Sequence, residues 1–347
     1  MTDQLLTLSA LLEQADLEVA TYDLSRQIRR IEHQDWLAFE RGEQAWENPV
    51  QAAATFAIVG LNKQQIENSV VWFFQLPLDE RMHLNLGARD GLIDQLLSRA
   101  AANAENLNAE EATDLQAAAK DLSASIQPPV ERRAKFHSML RVDNQLASTD
   151  NYQLVKRWLD NPEDQDVDLL PLQGLADLSV RLNQPGVAQK LSANALLLGD
   201  RHWQILAHLL ENETLPAVLI KTIESHLQAE LTSDRDATNT AALLQSLAGC
   251  DTACRERNLL RTLNSAHGVS GEVIGVVAGR FWNDLQQPDV CRQFFSNLLQ
   301  FNDGISFVPV VRQLMTFTAL RPFIIACLNQ PFEDERLETL RIKHLGH

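Results

Sequence analysis

Chemistry, if this chain performs any, has few places to start. Arg26, Arg29 and Arg30 crowd one short stretch of an otherwise acidic N-terminal region. Guanidinium forks suit a phosphate or a carboxylate, and on a strand Arg26 and Arg30 share a face while Arg29 points away. The plainer reading is solvated charges, or ion pairs to nearby acids. Asp79, Glu80 and Arg81 follow directly on an aromatic run that ends at Pro77. Turn chemistry accounts for them; a partner-facing loop beside Trp72 and Phe74 is the functional alternative. His137 lies in a later segment. Arg26, Asp79, Glu80, Arg81 and His137 form the set that an enzyme would draw on at a junction between two domains. With Arg29 and Arg30, they are the candidate binding residues. No residue is assigned as catalytic.

Other constellations are weaker. Cys250 and Cys254 stand four apart, so on a helix they share a face, and His267 offers a third ligand. Zinc sites favour Cys-x-x-Cys pairs with a matching second pair, and neither occurs. Small buried thiols are the simpler account, and no metal or other cofactor is expected. Gly271, Gly275 and Gly279 fall at i, i+4 and i+8 with no preceding strand. They do not make a phosphate loop; they predict one helix face bare of side chains and a close helix–helix approach. The nine histidines contain no His-Glu-x-x-His, and no Gly-x-Ser-x-Gly elbow is present.

The elements that must carry these residues change character along the chain. Leu5, Leu8, Leu11 and Leu12 predict a first helix capped by Thr2 or Asp3. Residues 18–24, 27–31, 53–61 and 69–74 read as strands, the last two as an antiparallel hairpin ended by Pro77. A short helix over 35–41 is stopped by Gly42; Trp36, Phe39 and Trp46 are expected in the core, an aromatic contact surface being the alternative. A helix follows from about 89 to 100. Residues 101–130 read as a polar helical linker closing on Pro128-Pro129.

From residue 131 the pattern is helix, turn, helix, with one acidic loop over 160–168. Pro185, Pro216, Pro288 and Pro322 each follow a short polar turn, and Asp251 fills the gap between the second and third. Proline suits the first turn of a helix, so each mark opens the second helix of a pair with a period near 35 residues. Leu215, Val218, Leu219, Ile223, Leu227 and Leu231 predict one buried face, and Val308, Val311, Met315 and Thr318 another. The expected fold is a small antiparallel sheet with helices over 1–100, then a mainly α, HEAT-like solenoid over 131–347. An irregular helical bundle is the alternative.

The 347 residues carry 30 Lys and Arg against 46 Asp and Glu, a formal charge of −16. Both regions are acidic. Nucleic-acid binding is disfavoured, because phosphate neutralisation needs a cationic face; a protein partner with a basic surface fits better. The N-terminus lacks a basic n-region and an apolar core, and no run is long enough to span a bilayer, so the expected location is the cytoplasm.

Four stretches carry a family resemblance. They are Tyr22-Asp23-Leu24-Ser25-Arg26; Ala38-Phe39-Glu40 followed by Pro49 and Gln51; Val71 through Arg81; and Phe136-His137-Ser138. In order and spacing the chain resembles a bacterial family catalogued as domain of unknown function 3549. The resemblance implies one folded, cytoplasmic protein of about this size and brings no activity with it. A glycine is expected soon after Asp79-Glu80, where this chain has Met82 and His83. The function expected is a non-enzymatic interaction or adaptor protein that presents an acidic helical-repeat surface; the alternative is an enzyme of unidentified reaction at the domain junction.

Overall fold

Aromatic and β-branched residues dominate 53–61 and 70–77, and both pair as strands. In the computed structural model, residues 7–13, 18–61, 70–104 and 124–345 are described. The polar helix expected within 101–130 lies mostly outside them, as do Thr2, Asp3 and Leu5. Contacts divide the chain into two compact units, 1–128 and 129–347.

The first unit is built on a four-stranded antiparallel sheet of order β2-β1-β3-β4. Its strands are β1 (Glu18–Asp23), β2 (Arg29–Ile31), β3 (Ala53–Leu61) and β4 (Val70–Pro77). The central pairing sets Phe56 opposite Phe74 and Ile58 opposite Trp72. Side chains on that face bury against Trp36, Phe39 and Trp46, against Leu8 of helix α1 (Leu8–Glu13), and against Leu92, Ile93 and Leu96 of α3 (Leu86–Ala104). Trp36 and Phe39 come from α2 (His33–Glu40), which ends as its sequence predicts. Gly42 takes φ +73°, its N–H reaches the Phe39 carbonyl, and the Glu43 N–H reaches Ala38, a Schellman closure. Pro77 is the last residue of β4, paired with Ala53. Residues 124–126 run along the outer edge of β4: Gln75 N–H donates to Ala124 at 2.9 Å and Ile126 N–H to Phe73 at 3.0 Å. That tract belongs to the sheet, not to a linker.

The second unit is helical. Its helices are α4 (Val130–Asp143), α5 (Asn151–Asp160), α6 (Leu172–Ser179), α7 (Val187–Ala193), α8 (Asp200–Leu210), α9 (Ala217–Leu231), α10 (Thr238–Ser246), α11 (Thr252–Leu263), α12 (Gly271–Arg280), α13 (Pro288–Gln300), α14 (Phe307–Leu314), α15 (Arg321–Leu328) and α16 (Glu335–Leu345). The five sequence marks sit at the starts of α7, α9, α11, α13 and α15. Pro216 and Asp251 are N-caps, the Asp251 carboxylate accepting the Cys254 N–H, while Pro288 and Pro322 lie in the first turn. Helices touch their second neighbours: α4, α6, α8, α10 and α12 form one series, α5, α7 and α9 a second, and α11, α13 and α15 a third. Glu224 of α9 joins the last two, accepting from Arg257 and Asn258 of α11.

Two apolar clusters fill this unit. One runs from Ala134 to Cys254 and the other from Ala237 to Leu337. They meet on α10, which gives Leu243 to the first and Ala241 and Leu244 to the second, so every residue from Asn239 to Ser246 is buried. Only a helix shielded all round is buried this way. The expected face is confirmed at Leu219, Ile223 and Leu227 of α9 and at Leu215 just before it. The stripe predicted over 308–318 is corrected. Val311 and Met315 are partly buried and pack against the core as expected, but Val308 and Thr318 are exposed, and Phe307, Leu314 and Phe317 are buried instead, because the aromatic rings offset by one position hold more apolar surface.

The glycine stripe is corrected too. A Cβ on Gly275 or Gly279 would meet nothing within 4 Å, and the nearest atoms to one on Gly271 would be those of the Phe301 ring, not a helix backbone. The close backbone approaches lie elsewhere: a Cβ on Gly249 would fall 2.1 Å from the Glu213 carbonyl oxygen, and one on Gly174 2.6 Å from that of Asn151.

Candidate functional site

The arginine knot does not assemble. Arg26 precedes β2 and is 4% exposed, its Nε donating to the Pro49 carbonyl at 3.2 Å. Arg30 is exposed on β2 opposite Tyr22, so the predicted shared face is absent. Arg29 is half-exposed, lying 3.5 Å from Asp23 and bound to Glu47. The strand expected over 27–31 begins only at Arg29, and residues 24–28 form a bend in which Arg26 is buried, so Arg26 and Arg30 do not share a strand.

That bend is a buried polar knot. Ser25 Oγ accepts from the Trp46 indole at 2.9 Å and the Thr55 N–H at 3.1 Å, and Asp23 accepts the Ser25 N–H at 2.7 Å. Burial, only partly offset by these bonds and by Arg29, pushes the Asp23 carboxyl up to about 6. Nearby, Glu40 is buried, accepts from Ser9, and is likewise raised by burial; Arg89 donates to the Glu40 carbonyl at 2.7 Å.

Asp79, Glu80 and Arg81 form the turn after β4. The Asp79 carboxylate accepts the Arg81 and His83 N–H groups, both at 2.8 Å, and those bonds draw its pKa down. Glu80 and Arg81 are exposed. Where a glycine was expected, Met82 adopts φ +64° with its side chain buried. A left-handed residue there is a requirement of the turn, met here by a side chain that fills the core. In the second unit, His137 is exposed on α4 while its neighbours Phe136 and Ser138 are buried.

Sequence reasoning missed a buried polar seam that starts on the other face of α4. Arg132, Lys135 and Ser138 recur at i, i+3 and i+6, one stripe of a helix. Lys135 is fully buried; its amine donates to Ser179 Oγ at 2.9 Å and pairs with Glu213. Burial draws its pKa down against the pull of Glu213 and Glu211. Ser138 donates to Asp177 at 3.0 Å, and Asp177 also accepts from Arg181 at 2.9 Å and from the Thr149 N–H at 2.9 Å. Glu211, 2% exposed, gathers Arg132, Gln245 and Arg280, and Gln245 reaches His208. The seam thus pins α4, α6, α10, α12 and the corner after α8. Asp177 and Glu211 are each held by several donors, and the amine is enclosed between Ser179 and Glu213, an arrangement that fixes helices rather than one poised for reaction. The visible signal was a basic, non-amphipathic helix at 130–143.

A second regularity is the spacing of bonds between helices. Asn194 of the α7 C-cap donates to the Leu159 carbonyl at the end of α5, and Asn297 of α13 to the Leu263 carbonyl at the end of α11, 35 and 34 residues apart. His202 meets Val167, Gln204 meets Asn239, Arg235 meets Asp200, and Arg292 meets Cys327, each 35 apart. The asparagines satisfy carbonyls that a helix end leaves unpaired.

All four cysteines are buried free thiols. Burial raises Cys250 and Cys254, and His267 is engaged through Nδ1 with Thr240 Oγ1 at 2.6 Å. Among the described residues no group of three or more His, Cys, Asp and Glu is placed to hold a metal ion, and no helix is long and apolar enough to cross a membrane. One family model, described as "Protein of unknown function (DUF3549)", matches residues 3–345. No curated protein and no solved structure matches.

Proposed function

Since the chain belongs to the DUF3549 family, whose description carries no activity, its role has to be argued from its own geometry, and we propose that it is a non-enzymatic interaction protein whose second unit is a HEAT-like solenoid. The carrying observation is the ladder of inter-helix bonds at separations of 33 to 37 residues. One supersecondary unit stacked on the next places equivalent residues one repeat apart. The second-neighbour helix contacts and the helix starts at Pro216, Asp251, Pro288 and Pro322 agree with that stacking. Stacked pairs leave long surfaces, and with a charge of −16 those surfaces favour a partner of basic character. An enzyme drawing on Arg26 has less support, because that guanidinium is bound within the core.

Affinity purification of the tagged full chain from its native cells, at low and at high salt, tests this reading. A recurrent partner with a basic interface, released as salt rises, is expected. Recovery of acidic partners, or of complexes indifferent to salt, contradicts the electrostatic part.

A further inference from the structure

The loop after α5 and the turn after α7 lie side by side. Lys190 pairs with Asp160, Asn194 donates to Leu159, and His202 meets Val167 at 3.1 Å and Asp168 at 3.5 Å. These ties fix the loop at both ends against the segment 190–202. Along this edge three leucines face solvent: Leu196 at 86%, Leu169 at 71% and Leu197 at 52% exposed. Their neighbours Leu191 and Leu198 are buried, so the short helical turn at 195–197 has turned two leucines outward. Large apolar side chains this exposed, on two segments tied to each other, mark a contact surface.

Charge identifies the occupant. From Asp160 to Asp168 the loop carries five carboxylates and no Lys or Arg. Asp160 is paired with Lys190 and Asp168 faces His202, while Glu163, Asp164 and Asp166 are exposed. Leucines beside a carboxylate rim complement a segment with apolar anchors among Lys or Arg, as an amphipathic helix supplies. Resting on the scaffold reading above, we infer that this edge docks a short basic amphipathic segment of a partner protein, with Leu169, Leu196 and Leu197 as the apolar anchors and Glu163, Asp164 and Asp166 as the charged rim.

The test uses the full chain and a synthetic helical peptide with leucines at i, i+3, i+4 and i+7 and lysines elsewhere. A control peptide of the same charge has serine for leucine. Fluorescence anisotropy follows binding across a salt series. Expected is binding of the leucine peptide in preference to the control. L196S/L197S should weaken it about tenfold, and E163Q/D164N/D166N should weaken it to a similar degree and flatten the salt dependence. All five positions are exposed, so unchanged circular dichroism and melting are expected of both variants. Binding that both variants leave intact overturns this edge and spares the scaffold reading, since the peptide then sits elsewhere on the acidic surface. No binding to the wild-type chain at low salt overturns the edge and the basic-partner reading together. A wild-type dimer that L196S/L197S converts to monomer assigns the edge to a second copy and overturns the proposal.

Discussion

The two units hold their buried polar groups in different ways. In the sheet unit each buried charge is a local fixture: Ser25 and Asp23 bind one bend, and Arg89 ties one helix to the end of another. In the helical unit buried groups link helices across the chain, and one bond type appears twice, Asn194 reaching the Leu159 carbonyl 35 residues back and Asn297 the Leu263 carbonyl 34 residues back. The lesson is about reach. A bend fixed by one serine fails locally, whereas a seam that links alternate helices carries load across the unit.

The largest effect should come from the seam. Asp177→Ala leaves Ser138, Thr149 and Arg181 without their shared acceptor in a fully buried place. Removing one partner of a buried charge network costs about 3–5 kcal/mol. Urea unfolding of the second unit's transition should read that loss, and a loss below about 1 kcal/mol would mean the seam is decorative.

In the sheet unit the matching test is Asp23. Its carboxyl is raised to about 6 in the folded chain against a usual value near 4. The folded state therefore holds the proton more tightly than the unfolded one. The cost of ionising it is absent below about pH 4, grows as pH rises through the 4-to-6 window, and is complete above. Two pH units correspond to about 3 kcal/mol at most. Asp23→Asn should remove this slope, so the difference in stability between variant and wild type should shift in the variant's favour from pH 4 to 7. A difference independent of pH would contradict the assignment.

The smallest effect belongs to Met82. Glycine there relieves a left-handed φ worth about 1 kcal/mol but deletes a buried side chain worth about 2 kcal/mol or more. Met82→Gly should destabilise the sheet unit by about 1–2 kcal/mol in thermal melts; a gain would show that the turn outweighs the core.

Much of the frame was legible. Strand runs and the Gly42 stop are local signals, and Pro216, Asp251 and Pro288 mark helix starts because proline and capping carboxylates act on the nearest turn. What escaped depends on distant neighbours. Spacing alone does not tell which face of α12 the rest of the fold covers, so the glycine stripe was misassigned. Arg26 looked like its exposed neighbour Arg30 until the bend at 24–28 separated them. The Asn194 and Asn297 bonds are invisible in the sequence, because their carbonyl partners lie 35 and 34 residues back. The stretches that carry the family resemblance are mostly interior: Tyr22 through Arg26, Trp72, Phe74 and Phe136 are all buried. They therefore speak to the fold more than to a partner site.

Native-state hydrogen exchange on Asn297→Ala puts the stacking itself on trial. Stability in a stacked array is a sum of nearest-neighbour terms, and this change breaks the bond to Leu263 between α11 and α13 at a cost of about 1–2 kcal/mol. The account predicts faster exchange confined to α11–α16, with α5–α8 unchanged. A uniform loss of protection across all the helices from α4 to α16 would mean a single cooperative globule and would contradict it.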